Sequence, residues 1–137
     1  MIARLQMAID DVTDLGHHLD ELAHHHPEGT GLLTIIEPTS PTPALSLRAE
    51  MAGIFRRSRT LKVSAIVYEG TGFRESIVRS VVTSMSVLAR FPFEYKVFAS
   101  VLDACPWLFA RLPGIPEGMD PDLLPDSVDE LRRAFPR

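Results

Sequence analysis

The stretch from Leu61 to Arg90 constrains the fold of this chain more than any other. It opens with LKVSAIVYEG, a largely apolar run, turns at GTG, and continues in FRESIVRSVVTSMSVLAR, whose apolar residues repeat at helical spacing. A strand with two apolar faces is stable where helices cover both faces, as they do in a parallel sheet. The stretch therefore predicts an α/β protein in which further strands and helices alternate.

The rest of the chain supplies that alternation. Strands are predicted at 2–9, 31–37, 61–68 and 95–99, and helices at about 10–25, from Thr42–Pro43 to the arginines at 56–59, from 73 to about 90, and from Ser100 onward. The order β-α-β-α-β-α-β-α predicts a single domain with a mostly parallel four-stranded sheet flanked by helices, because helices form the right-handed crossovers between parallel strands. Phe73 is expected on the buried side of the third helix.

The composition changes beyond residue 112. PGIPEGMDPDLLPD is rich in proline and acidic residues, which is typical of an extended linker. Ser127 and Glu130 then form a capping-box pattern for a short helix. The apolar side of that helix comprises Leu124, Val128, Leu131 and Phe135. A helix this short needs packing partners, so we expect residues 1–112 to form the α/β domain and 113–137 a linker with a helix that docks on it or in a homodimer.

Composition narrows the class of function. The formal net charge is −4 at pH 7, which argues against a dedicated nucleic-acid binder. No apolar stretch approaches the roughly 20 residues of a membrane-spanning helix, and Asp10 and Asp11 come too early for a signal-peptide core. Cys105 is the only cysteine, so the chain has no internal disulfide and no cysteine-based zinc site. We therefore expect a cytoplasmic protein that binds neither nucleic acid nor a membrane.

Parallel strands would bring several loops to one edge of the sheet, where ligands of such sheets bind. The residues gathered there are Glu37, Thr39, Ser40 and Thr42 after the second strand, and Glu69, Gly70, Thr71, Gly72, Phe73 and Arg74 after the third. The glycines let backbone amides approach an anion at a helix start, whereas the two glutamates favour a cation, an amine or a basic protein surface. The alternative is structural: the glutamates cap helices and the glycines form a tight turn.

With its elements in this order, the chain resembles the STAS-like proteins, relatives of anti-sigma-factor antagonists, over about residues 2–112. FPFEYKVFASVLDACPWL is similar to the end of such domains, where a short strand enters a serine-capped helix that closes on Trp-Leu, and VYEGTGFRESIVRSV is similar to their penultimate strand and helix. The resemblance implies a non-catalytic regulator that docks on a partner such as a kinase-like anti-sigma factor. Its phosphorylation switch would be the serine of an Asp-Ser pair; the matching segment EPTSPTPALS offers Thr39, Ser40 and Thr42 but no such pair.

The histidines form a second candidate set. His18, Glu21 and His25 share one helical face, with Asp14 one turn earlier, a spacing that suits zinc or nickel ligands. No ligand from another segment is evident, and a solvated helix end is the alternative. The chain contains no G-x-S-x-G elbow of a serine hydrolase. We therefore expect no metal and no cofactor.

Three functional hypotheses follow. The favoured one is a non-catalytic module that binds a protein partner through the edge formed by Glu37–Thr42 and Glu69–Arg74, with a homo-oligomer left open. The first alternative is a binding protein for a nucleotide or a lipid-like molecule, with an apolar pocket at the same edge lined by Phe73 and Tyr68. The second alternative is a hydrolase or a metal-dependent enzyme.

Overall fold

The computed structural model describes residues 1–3 and 8–134, without the side chains of Ile2, Ala3, Arg74 and Leu88. In chain order the elements are β1 (Ile2–Ala3), α1 (Ile9–His25), β2 (Thr30–Ile36), α2 (Leu45–Arg57), β3 (Leu61–Tyr68), α3 (Phe73–Ala89), β4 (Glu94–Phe98), α4 (Val101–Phe109) and α5 (Leu123–Ala134). The strands and the first four helices alternate along the chain, and α5 follows the stretch at 113–122.

The sheet is parallel, with β3 between β2 and β4. The two residues of β1 pair in parallel with Ile35 and Ile36 of β2. The prediction of an α/β fold with a parallel sheet is confirmed for three strands. The predicted first strand is wrong at its end, because Ile9 begins α1, where the Ala8 N–H donates to the Asp11 carboxylate at 2.7 Å. Residues 4–7 of that strand lie outside the described residues.

Each face of the sheet carries its own hydrophobic core. The front face, as we call it, is covered by α1, α2 and α3, and its core comprises Val12, Leu19, Leu32, Leu47, Met51, Phe55, Leu61 and Met85. The back face is covered by α4 and α5, and its core comprises Ile35, Val63, Ala65, Val67, Ala104, Leu108 and Val128. Val63, Ala65 and Val67 of β3 enter the back-face core, and because successive side chains of a strand point to opposite faces, Ile66 lies on the front face.

The helices on the two faces approach the sheet differently. On the back face, α4 packs on β3 and also contacts β2 and β4, and the fully buried Ala65 and Ala104 permit this close approach. On the front face, α2 makes its main contacts with α3 rather than with a strand. The large side chains of Met51, Phe55 and Met85 lie between these helices and the sheet, so α2 and α3 stand farther from the strands.

The C-terminal helix begins earlier than the sequence predicts. α5 starts at Leu123, and the hydroxyl of Ser127 donates to the Leu123 carbonyl at 2.7 Å inside the helix, so Ser127 is not its cap. Pro125 lies in the first turn, where its missing N–H would have no partner within the helix. Val128 is buried in the back-face core, so the helix docks on the domain, while Phe135 lies outside the described residues. The division of the chain at residue 112 stays a prediction.

The starts of α4, α2 and α3 can also be compared with the sequence predictions. Ser100 caps α4 as expected, because its hydroxyl accepts from the Asp103 N–H at 3.1 Å and donates to the Asp103 carboxylate at 2.7 Å. The predicted start of α2 at Thr42–Pro43 is wrong, since the helix begins at Leu45 and residues 38–44 form a loop. The predicted burial of Phe73 is also wrong. Its side chain is 81% exposed, because the first residue of α3 lies beyond the edge of the sheet.

Candidate functional site

The predicted edge residues lie together at the carboxyl ends of β2 and β3. Ile36 and Tyr68 are paired in register, so Glu37 and Glu69 follow at the same level of the sheet. The Glu69 N–H donates to the Ile36 carbonyl at 3.2 Å. The two loops therefore emerge at one edge, as parallel strands require.

The two glutamates at this edge are held by the protein itself. Glu37 is only 2% exposed. The carboxylate of Glu69 accepts a hydrogen bond from the guanidinium of Arg132, and this ion pair joins the edge of the sheet to α5. Glu69 thus anchors the C-terminal helix. A role of either carboxylate in binding a partner stays a prediction.

The other residues of the third-strand loop have separate structural roles. A Cβ at Gly70 would overlap the ring of the buried Tyr68, so the absence of a side chain there makes room for that ring. Gly72 has φ +77° and precedes α3, a conformation that suits glycine. Thr71 is exposed, and the side chain of Arg74 lies outside the described part of the chain. In the second-strand loop Thr39 is exposed as well.

Ser40 and Thr42 instead line a cavity on the front face, between the sheet, α2 and α3. Its volume is about 110 Å³. Its floor is formed by Thr34, Ile36, Ser64, Ile66 and Tyr95. Its walls are formed by Met51, Phe55, Ile77, Val78, Val81, Val82, Met85, Phe91 and Phe93, with Met1, Ser40, Pro41, Thr42 and Pro43 completing the lining. Phe73 and Tyr68, which were expected to line a pocket at the loop edge, are not among the residues that line this cavity.

An aromatic cluster forms one wall of this front-face cavity. The ring of Phe55 meets Phe91 and Phe93 edge-on, with centroids 5.6 Å and 5.9 Å apart. Phe91 and Phe93 stack at 4.8 Å, and Phe91 also meets Tyr95 edge-on at 5.8 Å. Such pairs add about 0.5–1.5 kcal/mol each beyond their buried area, so the rings support one another in this arrangement.

Two hydroxyl groups lie on the cavity floor. Thr34 is 7% exposed and Ser64 is 4% exposed, and both line the cavity. In the described part of the chain neither hydroxyl has a hydrogen-bond partner. Tyr95, which lies opposite Ser64 in β4, has its hydroxyl 2.8 Å from that of Ser86. The floor therefore offers two unused hydroxyls within apolar surroundings.

The lining of the cavity carries no Asp, Glu, Lys, Arg or His among the described residues. The ammonium group of Met1 donates to the Leu33 carbonyl at 2.8 Å, and desolvation by burial lowers its pKa. Bringing a charged group into apolar surroundings is costly unless it is paired. The described lining of this cavity is largely apolar.

The histidine set predicted on α1 is exposed to solvent. The ring of His18 lies 3.6 Å from the Glu21 carboxylate, and both side chains are about three-quarters exposed. Across residues 1–3 and 8–134, no group of three or more His, Cys, Asp or Glu side chains is placed to hold a metal ion. Every helix within those same ranges is too short or too polar to cross a lipid bilayer.

Comparison with models of known protein families, with curated proteins and with solved structures finds no match for this chain. The resemblance to STAS-like proteins therefore stays a prediction. The cavity-lining hydroxyls that sequence reasoning missed are those of Thr34 and Ser64. The available signal was that each interrupts an apolar strand, GLLTIIE and LKVSAIVY, with a small polar side chain.

Proposed function

We propose that this protein binds a small, largely apolar molecule in the front-face cavity, without catalysis. The observation that carries the proposal is an apolar space of about 110 Å³ with two unpaired hydroxyls on its floor. An apolar cavity of about 150 Å³ in another protein is known to bind benzene, so a molecule of one ring is of suitable size. This is a small-ligand function, displaced from the loop edge to the space between the sheet and α2–α3.

The energetics support an occupant. The lining of this space of about 110 Å³ is largely apolar, so an apolar occupant would remove that surface from water. An occupant that fills the space restores contacts to Phe55, Ile66 and Val81, which line it. A ligand present at a hundred times its dissociation constant stabilises the folded state by about 2.7 kcal/mol.

A thermal-shift panel of one-ring compounds tests this function, with a cavity-filling variant as its control. Ile66→Phe should occupy the cavity, abolish the shift that a bound compound produces, and itself cost little stability. The matched variant is Ile35→Phe, which enlarges the same residue type on the back face, where Ile35 is 1% exposed in a packed core. Ile35→Phe should cost about 1–3 kcal/mol and leave the cavity able to bind.

Two results would count against binding in this cavity. One is a panel in which no compound raises the melting temperature of the wild-type protein. The other is a shift that persists unchanged in Ile66→Phe.

A protein partner at the sheet edge is our second proposal, and it keeps the STAS-like, cytoplasmic regulator with a four-stranded sheet and an open oligomeric state. The observation in its favour is Phe73, whose large apolar side chain is 81% exposed at this edge. In a cross-linking experiment in cells, Phe73→Asp should lose a partner that the wild-type protein captures. Val87→Asp is the matched control, because Val87 is 71% exposed at the other end of α3. Loss in both variants, or in neither, contradicts docking at the edge.

A further inference from the structure

We infer that the molecule bound in the front-face cavity carries one uncharged hydroxyl or carbonyl group, which Thr34 and Ser64 recognise. The inference rests on the proposed binding function and specifies its ligand class. It starts from the placement of the two hydroxyls. Thr34 pairs with Ile66, and Ser64 lies two residues before Ile66 on the same strand, so the two side chains are diagonal neighbours on one face.

Thr34 and Ser64 are buried and, in the described part of the chain, their hydroxyls lack hydrogen-bond partners, so they can distinguish between ligands with and without a polar group. Thr34 and Ser64 are 7% and 4% exposed, and each hydroxyl offers one donor and two acceptor positions. A hydrocarbon in the cavity would leave both hydroxyls unpaired. A ligand hydroxyl or carbonyl can form a hydrogen bond with one of them. Buried sites of this kind reject analogues that lack the polar group.

The residues that line the cavity in the described part of the chain favour a neutral polar group. No Asp, Glu, Lys, Arg or His of the described residues lines the cavity, and the Met1 ammonium is engaged by the Leu33 carbonyl at 2.8 Å. Among the described residues, a carboxylate or phosphate on the ligand would thus find only the Met1 ammonium as a countercharge, and burial lowers the pKa of that group. A nucleotide does not meet these conditions, whereas a phenol, a cyclic alcohol or a small ketone does.

The test compares phenol with toluene, which have the same number of heavy atoms and differ by one oxygen. Dissociation constants of both are measured by calorimetry or NMR titration for the wild-type protein and for the double variant Thr34→Val and Ser64→Ala. Toluene gains more from leaving water, so the informative quantity is the ratio of the toluene constant to the phenol constant. We expect this ratio to fall at least tenfold in the double variant, with toluene binding retained. Benzoate should bind the wild-type protein at least tenfold more weakly than phenol.

The possible outcomes separate the ligand class from the binding function. If both compounds bind and the ratio is unchanged, the recognition by Thr34 and Ser64 is overturned and the binding function stands. Benzoate binding as tightly as phenol overturns the neutral ligand. If neither phenol nor toluene binds the wild-type protein, and no compound of the thermal-shift panel does, both proposals fail.

A crystal structure of the wild-type complex with phenol gives a readout that needs no variant. The phenol oxygen should lie within hydrogen-bond distance of Thr34 Oγ1 or Ser64 Oγ. A phenol oxygen turned toward α3 overturns the inference. Should the double variant fail to fold, this structure and the single isosteric change Thr34→Val, for which a fall in the ratio of about threefold or more is expected, decide the question.

Discussion

The glycines near the sheet edge show how a single missing side chain can serve packing rather than ligand binding. Gly70 is followed two residues later by Gly72, and the pair suggests a loop that admits a ligand to its backbone. Gly72 does adopt a positive φ of +77°. Gly70, in contrast, makes room for the ring of Tyr68, which is 3% exposed. The two glycines therefore differ in what a substitution would cost.

Gly70→Ala should lower the free energy of unfolding by about 1–3 kcal/mol, because the new methyl group has to displace a buried ring. The control is Gly53→Ala on α2, where the new Cβ meets only the flexible end of Arg57, at 3.1 Å. Alanine is the better helix former by about 1 kcal/mol, so this variant should be as stable as the wild type or more stable. Urea denaturation measures both. A Gly70→Ala protein of wild-type stability contradicts the packing role.

The sequence does not predict that a polar residue within a strand lines a cavity. Ser64 visibly interrupts an apolar run, and alternation places it on the face opposite Val63 and Ala65. Which face carries the widely spaced helices depends on their distance from the sheet, and no local pattern encodes that distance. The same limit applies to Glu37, since its position after a strand indicates the edge but not that it is 2% exposed.

The α5 helix illustrates how an element that is too short to be stable alone is held in place. One apolar residue, Val128, is 5% exposed in the back-face core, while Leu131 on the same helix is 48% exposed. The ion pair between Arg132 and Glu69 fixes the helix at a second point. The sequence predicted a docking helix, but a cap at Ser127 would place the first helical residue at Val128, five residues after the observed Leu123, since Pro125 is tolerated in a first turn.

Val128→Ala should cost about 2 kcal/mol of folding free energy, because it removes buried apolar groups from the back-face core. Leu131→Ala removes a larger group from a half-exposed position on the same helix and should change stability by less than about 0.5 kcal/mol. Urea denaturation should therefore show the larger loss of stability for the variant that removes the smaller side chain. Equal losses in the two variants contradict the docking orientation of α5.

Glu69→Gln should loosen α5 by removing its half-buried ion pair with Arg132, whose side chain is 29% exposed. We expect a loss of about 1 kcal/mol, seen as faster amide hydrogen exchange across Leu123–Ala134. Glu75→Gln is the control, because its pair with Arg79 at 2.9 Å lies along the surface of α3. That control should leave exchange in α5 unchanged. Unchanged exchange in Glu69→Gln contradicts the anchoring role of the edge.

For the whole molecule, the sequence predicted the class and sheet type correctly because they follow from one strand. Leu61–Tyr68 is apolar on both faces, which requires helices on both sides. Since the sequence indicated a pocket only at the loop edge, the cavity beneath α2 and α3 was not predicted. It results from the combined bulk of Met51, Phe55 and Met85, whose contacts exist only in the assembled fold.

Cys105 provides a probe of the folded state as a whole. It is the chain's single cysteine, it is 0% exposed, and burial raises the pKa of its thiol. We expect a thiol reagent to label it only through opening of the core, far more slowly than in denaturant. Fast labelling of the native protein contradicts the back-face packing.

The raised pKa of the Cys105 thiol also sets the sign of a pH effect. The unfolded chain ionises first as pH rises above about 8.5, so the unfolded state binds fewer protons and stability falls with pH. The loss begins above the unfolded pKa and continues toward the raised folded value. Urea denaturation between about pH 7.5 and 9.5 measures this slope, and Cys105→Ala should make it shallower. If stability falls equally steeply with pH in Cys105→Ala, the thiol is not the cause of the pH dependence.

The whole account depends on an accessible apolar space between the sheet and α2–α3. Xenon binds such spaces without polar contacts, so a crystal of the wild-type protein under xenon pressure reports on the space alone. We expect a xenon site in contact with Phe55, Ile66 and Val81, all of which line the cavity. A crystal in which α2 and α3 close onto the strands, with no xenon between them and the sheet, would contradict the binding function.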